Sequence, residues 1–236
     1  ADQVWVIGNG VDPGFETEPA VLRYLLAPDV RVAFLGQGGH EALLLPAERP
    51  GLYLITRPAG RVVQELTNLG AEVRGLVTLP DERTAAQVMV APQQSAAEVL
   101  SRIPNRGLWK LDTGMHLLGF EWPLSAQPGE RVTLATYWAL LDVPPDVRAH
   151  QHSLFNHLMA GERRVAQIDG LGLPERSWQD GLVLLQWFEM DLPPDLEPGE
   201  YTLLTGMYAL DDMTRSRVLS GGEAVGDTVP LGPVRV

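Results

Sequence analysis

Three stretches, QPGERVTLATYWALLDVPPD (residues 127–146), SLFNHLMAGERRVAQIDG (153–170) and SWQDGLVLLQWFEMDLPPDLEPGEYTLLTGMYAL (177–210), decide the fold class. Short apolar runs alternate with Pro-Gly, Ala-Gly and Pro-Pro turns. This is the pattern of antiparallel strands, each ended by residues that preset or permit a reversal. Ala160-Gly161-Glu162 reads as a hairpin loop. Leu196-Glu197-Pro198-Gly199-Glu200-Tyr201 places a tyrosine just after a turn, at the start of a strand. Immunoglobulin-like sandwiches use such a tyrosine as a corner, its hydroxyl bonding the backbone upstream. An ordinary half-buried strand tyrosine is the other reading.

Working outward, strand candidates continue on both sides: Leu117–Trp122, Arg131–Leu141, Ser153–Met159, Arg164–Ile168, Leu182–Asp191, Tyr201–Tyr208, Ser216–Leu219 and Thr228–Val236. The first hundred residues follow a different pattern. Val4–Ile7 is a buried-type strand ended by Gly8-Asn9-Gly10. Thr17-Glu18-Pro19 opens a helix with Thr17 as N-cap, and Val21, Leu22, Leu25 and Leu26 give it an apolar face. Arg31–Leu35, Ala42–Leu45, Leu52–Thr56, Gly75–Leu79 and Gln87–Val90 are strand-like. Val62, Val63, Leu66 and Leu69 recur at helical spacing before Gly70, and Ser95-Ala96-Ala97-Glu98 matches a capping box. The expectation is an α+β protein of two domains. Residues 1–106 form a small Rossmann-like α/β domain. Residues 107–236 form an all-β antiparallel sandwich, immunoglobulin-like or jelly-roll-like.

Composition limits the partners. The chain has 236 residues, a formal net charge of −12, one lysine (Lys110) and no cysteine. An acidic surface repels phosphate backbones and anionic lipid, so neither nucleic acid nor a membrane surface is expected as a partner. Disulfides and thiolate chemistry are excluded. No apolar run approaches the roughly 18 residues of a membrane helix, so direct insertion by this stretch is not expected. ADQVWVIGNG enters a strand at once, without a signal-peptide layout. The protein is therefore cytosolic, or a targeting or membrane portion lies outside this stretch.

No catalytic constellation emerges. Gly8-Asn9-Gly10 follows a strand as a dinucleotide fingerprint would, but Pro13 stands where the third glycine belongs and the helix starts late. A plain turn is the reading. His150 and His152 share a strand face and His157 falls on the other, with no carboxylate completing a ligand set in sequence. They read as structural or surface histidines, and neither metal nor cofactor is expected. There is no nucleophile elbow around Ser153. The acidic pairs Asp211-Asp212 and Asp180/Asp191 read as solvated rather than as glycosidase carboxylates. The aromatics are the best ligand candidates, because a pyranose ring stacks its apolar face on an indole. Trp138 and Trp187 lie in long apolar strands and read as core. Trp178 lies in a polar loop beside Asp180. It stands either as an exposed sugar platform or folded back over the core. Trp178, Asp180 and Trp122 are the candidate carbohydrate-binding residues.

Several fragments together resemble a known family. They are Leu118-Gly119-Phe120, Gln127-Pro128-Gly129-Glu130, Leu134-Ala135-Thr136-Tyr137-Trp138, Leu154-Phe155-Asn156-His157-Leu158 and Val165-Ala166-Gln167-Ile168-Asp169. Trp178, Leu192-Pro193-Pro194, Pro198-Gly199-Glu200-Tyr201, Gly206-Met207-Tyr208, Gly226-Asp227 and Leu231-Gly232-Pro233-Val234 complete the set. In order and spacing they resemble the sandwich that ends bacterial dolichyl-phosphate-mannose–protein mannosyltransferase-like membrane glycosyltransferases. Trp5-Val6-Ile7, and Ala42-Leu43-Leu44-Leu45-Pro46-Ala47 before Leu52-Tyr53-Leu54, resemble the small α/β segment preceding that sandwich.

The resemblance implies a non-catalytic portion on the extracytoplasmic side of the cell membrane. That portion would position acceptor, bind glycan or brace the membrane part of its own parent chain. The family's catalytic acids lie between membrane helices, so no catalytic residue carries over. A free-standing exported carbohydrate- or protein-binding module is the alternative. A soluble enzyme with its site in the α/β part is another.

Overall fold

The computed structural model describes residues 3–26, 29–36, 40–47, 49–78, 80 and 84–236. Among the described residues the protein is mostly β, with 48% strand and 13% helix, in three sheets. The first sheet is built from β1 (Gln3–Ile7), β2 (Arg31–Leu35), β4 (Gly51–Ile55), β5 (Glu72–Thr78) and β6 (Thr84–Ala91), in the order β2-β1-β4-β6-β5. The pairs β1/β2 and β1/β4 are parallel, whereas β4/β6 and β6/β5 are antiparallel. β5 covers most of the Gly75–Leu79 run, whose Leu79 lies outside the described residues.

Helix α1 (Thr17–Leu25) covers one face of this sheet, where Val4, Val6 and Phe34 form a small core with Leu22 packed against it. Helices α2 (Gly60–Asn68) and α3 (Ala96–Ser101) contribute to the other face. The Gly70 stop signal works as expected. Gly70 has φ +81, its N–H donates to the Thr67 carbonyl (2.9 Å), and the Ala71 N–H donates to the Leu66 carbonyl (2.9 Å), the Schellman arrangement. The Ser95–Glu98 capping box also forms, with reciprocal bonds of 2.6 and 3.2 Å. Thr17 is not the N-cap of α1. That position is Glu16, whose carboxylate is engaged elsewhere.

β3 (Ala42–Leu45) leaves the first sheet. It pairs antiparallel with β12 (Val183–Asp191), Leu44 opposite Leu184. β3 thereby becomes the edge of a seven-stranded sheet that also contains β7 (Asn105–Leu111), β8 (Met115–Glu121), β9 (Arg131–Leu140), β14 (Val218–Ser220) and β15 (Glu223–Gly226), in the order β15-β14-β7-β8-β9-β12-β3. The third sheet, ordered β11-β10-β13-β16, consists of β10 (His152–Ala160), β11 (Arg163–Gly170), β13 (Glu200–Ala209) and β16 (Val229–Arg235).

The four- and seven-stranded sheets face each other. Leu134, Trp138, Leu184, Phe188, Leu154, Leu158, Leu203 and Met207 fill the space between them. The buried amide of Gln186 in this layer is paired at both its oxygen and its nitrogen. The Gln186 side chain accepts from the Gly172 N–H (2.8 Å) and donates to the Gly170 carbonyl (3.1 Å). The Tyr201 hydroxyl donates to the Glu197 carbonyl, making the corner.

The expectation of a Rossmann-like domain followed by a separate sandwich is corrected by this topology. The helices are only nine, nine and six residues long, β6 runs antiparallel to the other strands of the first sheet, and β3 belongs to the seven-stranded sheet. One continuous core runs from Trp5, Ile7, Tyr53 and Val62 through Leu43–Leu45 into the sandwich. The physical reason is burial. β3 is apolar at every position and 0–2% exposed, which suits a strand covered on both faces. No helix among the described residues is long and apolar enough to cross a membrane.

Candidate functional site

The structure separates the three expected carbohydrate residues. Trp178 is 1% exposed, and its indole N–H donates to the Leu173 carbonyl at 3.1 Å. Its ring lies against His152, with centroids 5.7 Å apart. An exposed platform at Trp178 is therefore corrected: the polar loop folds the ring inward because a backbone carbonyl satisfies its N–H there. Asp180 accepts from the Val143 N–H at 3.0 Å and so holds a loop in place. Trp122 sits elsewhere, on the wall of a cavity of about 530 Å³.

That cavity arises from side-chain size across three strands. Ala135 of β9 lies in register with Glu121 of β8 on one side and Trp187 of β12 on the other. A methyl group between a carboxylate and an indole leaves a hollow. Trp187 is 8% exposed. Trp122 is half-buried, and its Nε1–H is buried without a hydrogen-bond partner. Glu121, Glu130, Arg131, Thr133 and Arg61 complete the rim.

The two rim guanidiniums are held by carboxylates. Arg61, reaching across from α2, pairs with Glu189 (2.7 Å) and Glu41 (3.2 Å) and donates to the Thr133 hydroxyl (3.3 Å). The Thr133 hydroxyl in turn donates to Glu189 (3.0 Å). Arg131 grips Asp191 through Nε and Nη2, at 2.6 and 3.1 Å. This bidentate pairing holds the Asp191 carboxyl below its usual range. The Tyr137 hydroxyl donates to Glu121. Burial, reinforced by that carboxylate, raises the phenol's pKa, so Tyr137 stays neutral.

The cavity therefore offers an aromatic wall and floor, an unpaired indole donor and a rim of ordered donors and acceptors, with its two guanidiniums already paired and an excess of carboxylates that disfavours an anionic ligand. That combination fits a neutral polyhydroxylated ring. Sequence reasoning assigned Trp187 to the core and did not single out Glu121 or Arg61. No local spacing signals the cavity, since Ala135 lies in register with groups 14 and 52 positions away.

The histidines do not converge. His150 pairs with Asp211 at 2.7 Å on an exposed surface, and that carboxylate raises its pKa. His152 is buried 3.5 Å from Glu175. His157 stacks on Phe155, on the other face of β10 from His152, and burial lowers its pKa. Among the described residues no group of three metal-ligating side chains occurs.

The Gly8-Asn9-Gly10 turn is closed by carboxylates. Glu18 accepts from the Asn9 N–H (3.2 Å), and Glu16 accepts from the Val11 and Asp12 N–H groups (2.6 Å each). Amides that would cradle a phosphate are already occupied. No protein-family model matches this chain, and no curated protein matches it.

Proposed function

We propose that the protein is a non-catalytic glycan-binding portion of a larger extracytoplasmic assembly, part of a membrane glycosyltransferase that uses a lipid-linked sugar. The cavity between Trp122 and Trp187 is the binding site. The single observation that carries this reading is the pairing of a half-buried indole, whose N–H has no partner, with a rim of hydrogen-bonded Glu, Arg and Thr side chains. A sugar ring would stack on Trp122 and accept from its Nε1–H. Its hydroxyls would bond Glu121, Glu130 and Thr133. The resemblance of the sandwich fragments supplies the membrane setting.

The test is a titration of manno-oligosaccharides against wild type and Trp122→Ala, followed by tryptophan fluorescence. A stacking contact is worth on the order of 1 kcal/mol, and the lost N–H bond adds to it, so affinity should fall about tenfold or more. The same sample, incubated with a polyprenyl-phosphate sugar donor, should give no turnover. Unchanged affinity in Trp122→Ala removes the site assignment, and turnover removes the non-catalytic reading.

A further inference from the structure

A second cavity, of about 430 Å³, lies where the parallel strands end. Its lining includes Gly8 and Gly10 after β1, Gly36 after β2 and Arg57 after β4, with Gln151 and Arg176 arriving from the sandwich. The carboxyl ends of adjacent parallel strands are the usual ligand crevice of such sheets.

The charges in this cavity differ in one respect. Glu16 accepts from two backbone amides through one of its oxygens. Asp12 accepts from the Gly14 N–H (2.8 Å) and lies 3.5 Å from Arg176. Arg176 also donates to the Val11 carbonyl at 2.6 Å. Arg57 has no such arrangement. Its Nε and Nη2 are buried and have no hydrogen-bond partner, and no other arginine among the described residues shows this. Nε and Nη2 are the two parallel donors of the guanidinium edge. Arg131 uses that same edge to hold both carboxylate oxygens of Asp191. Leaving such donors buried and empty is costly for a fold. Gly36 gives the guanidinium its room: a Cβ there would stand 3.0 Å from Nη2, and its φ of +102 already favours glycine.

We propose that this cavity binds a small carboxylate-bearing ligand, whose two oxygens meet the Nε–Nη2 edge of Arg57 while its remaining polar groups face Gln151 and the Gly8–Gly10 turn. The site is distinct from the Trp122 cavity and does not depend on it. A planar carboxylate fits the paired edge, and the filled amides of the turn argue against a phosphate cradle.

The experiment titrates D-glucuronate, D-glucose and inorganic phosphate at low salt into wild type, Arg57→Gln, Arg57→Lys and Trp122→Ala. Amide signals are read by NMR, and the fold of each variant is checked by circular dichroism. The expected result is glucuronate binding that moves the Gly10 and Gly36 amides. That binding should be at least tenfold tighter than glucose and weakened tenfold or more by Arg57→Gln. Arg57→Lys should also weaken it, because an ammonium cannot supply the parallel edge. Trp122→Ala should leave it unchanged. If Arg57→Gln does not fold, Arg57→Lys and the wild-type shift map decide. The proposal is overturned if wild type shows no glucuronate binding, if glucose binds equally, or if phosphate binds more tightly. Shifts that map to Trp122 instead of Gly10 and Gly36 overturn it as well.

Discussion

The two cavities draw on similar residue types yet differ in how their charges are used. Around Trp122 and Trp187, Arg61 and Arg131 are each paired with carboxylates, and the unpartnered donor is a neutral indole N–H. Around Gly8–Gly10 the carboxylates are satisfied by amides, and the unpartnered donor is the Arg57 guanidinium. A rim whose guanidiniums are already held by carboxylates leaves recognition to ring faces and neutral hydrogen bonds. A guanidinium without a partner calls for an anion. Both cavities also lie where the first hundred residues meet the sandwich, since Arg61 reaches Glu189 and Arg176 reaches Val11.

The largest expected effect tests that shared seam. Leu44 is 0% exposed and lies opposite Leu184. Leu44→Ala should cost about 3 kcal/mol in chemical denaturation, in a single transition that weakens both cavities together. Two separate transitions, with only one cavity affected, would break the comparison at its root.

The next contrast sets one arginine against the other. Arg61→Met leaves Glu189 and Glu41 without their cation, but the groups are over a third and a quarter exposed, so solvent screens the loss. It should lower stability by under about 1 kcal/mol. Arg57→Met removes two buried orphan donors and should leave stability unchanged or raised. Melting temperatures that move in the same direction for both would show that the guanidiniums do not differ as described.

A smaller effect concerns pH. Burial lowers the pKa of His40, His116 and His157 from the usual 6.5. The unfolded chain then binds more protons than the folded one between 6.5 and the folded values. Stability should therefore fall as pH drops below about 6.5 and stay flat above it with respect to these groups. His150 acts in the opposite sense. Its raised pKa gives a contribution fully present below 6.5 and lost as pH rises through the folded value. Asp211→Asn should return the His150 titration, followed by NMR, toward 6.5. No movement would mean that the 2.7 Å pair does not persist in solution.

Local signals in the sequence were read well where they act locally. Gly70 stops α2, Ser95 and Glu98 cap α3, and Tyr201 makes its corner, because each is decided within a few residues. The run Ala42–Leu45 was recognisable as a strand but not as part of the sandwich. Its partner lies some 140 positions away, and nothing near it encodes which sheet it joins. Strand β7 was missed because Asn105-Arg106-Gly107 interrupts the apolar pattern, and the ladder there is irregular. Trp178 looked exposed because its sequence neighbours are polar, yet its own N–H finds the Leu173 carbonyl. Trp122 was singled out, but its cavity depends on Ala135 lying between Glu121 and Trp187, a matter of register.

The most direct test of the glycan site uses the six tryptophans as reporters. The protein is labelled with 5-fluorotryptophan, each signal is assigned by substitution, and a neutral manno-oligosaccharide is titrated in. The account predicts that Trp122 and Trp187 shift together and saturably, while the enclosed Trp138 and Trp178 stay in place. A Trp122 signal that remains still while the oligosaccharide binds would contradict it.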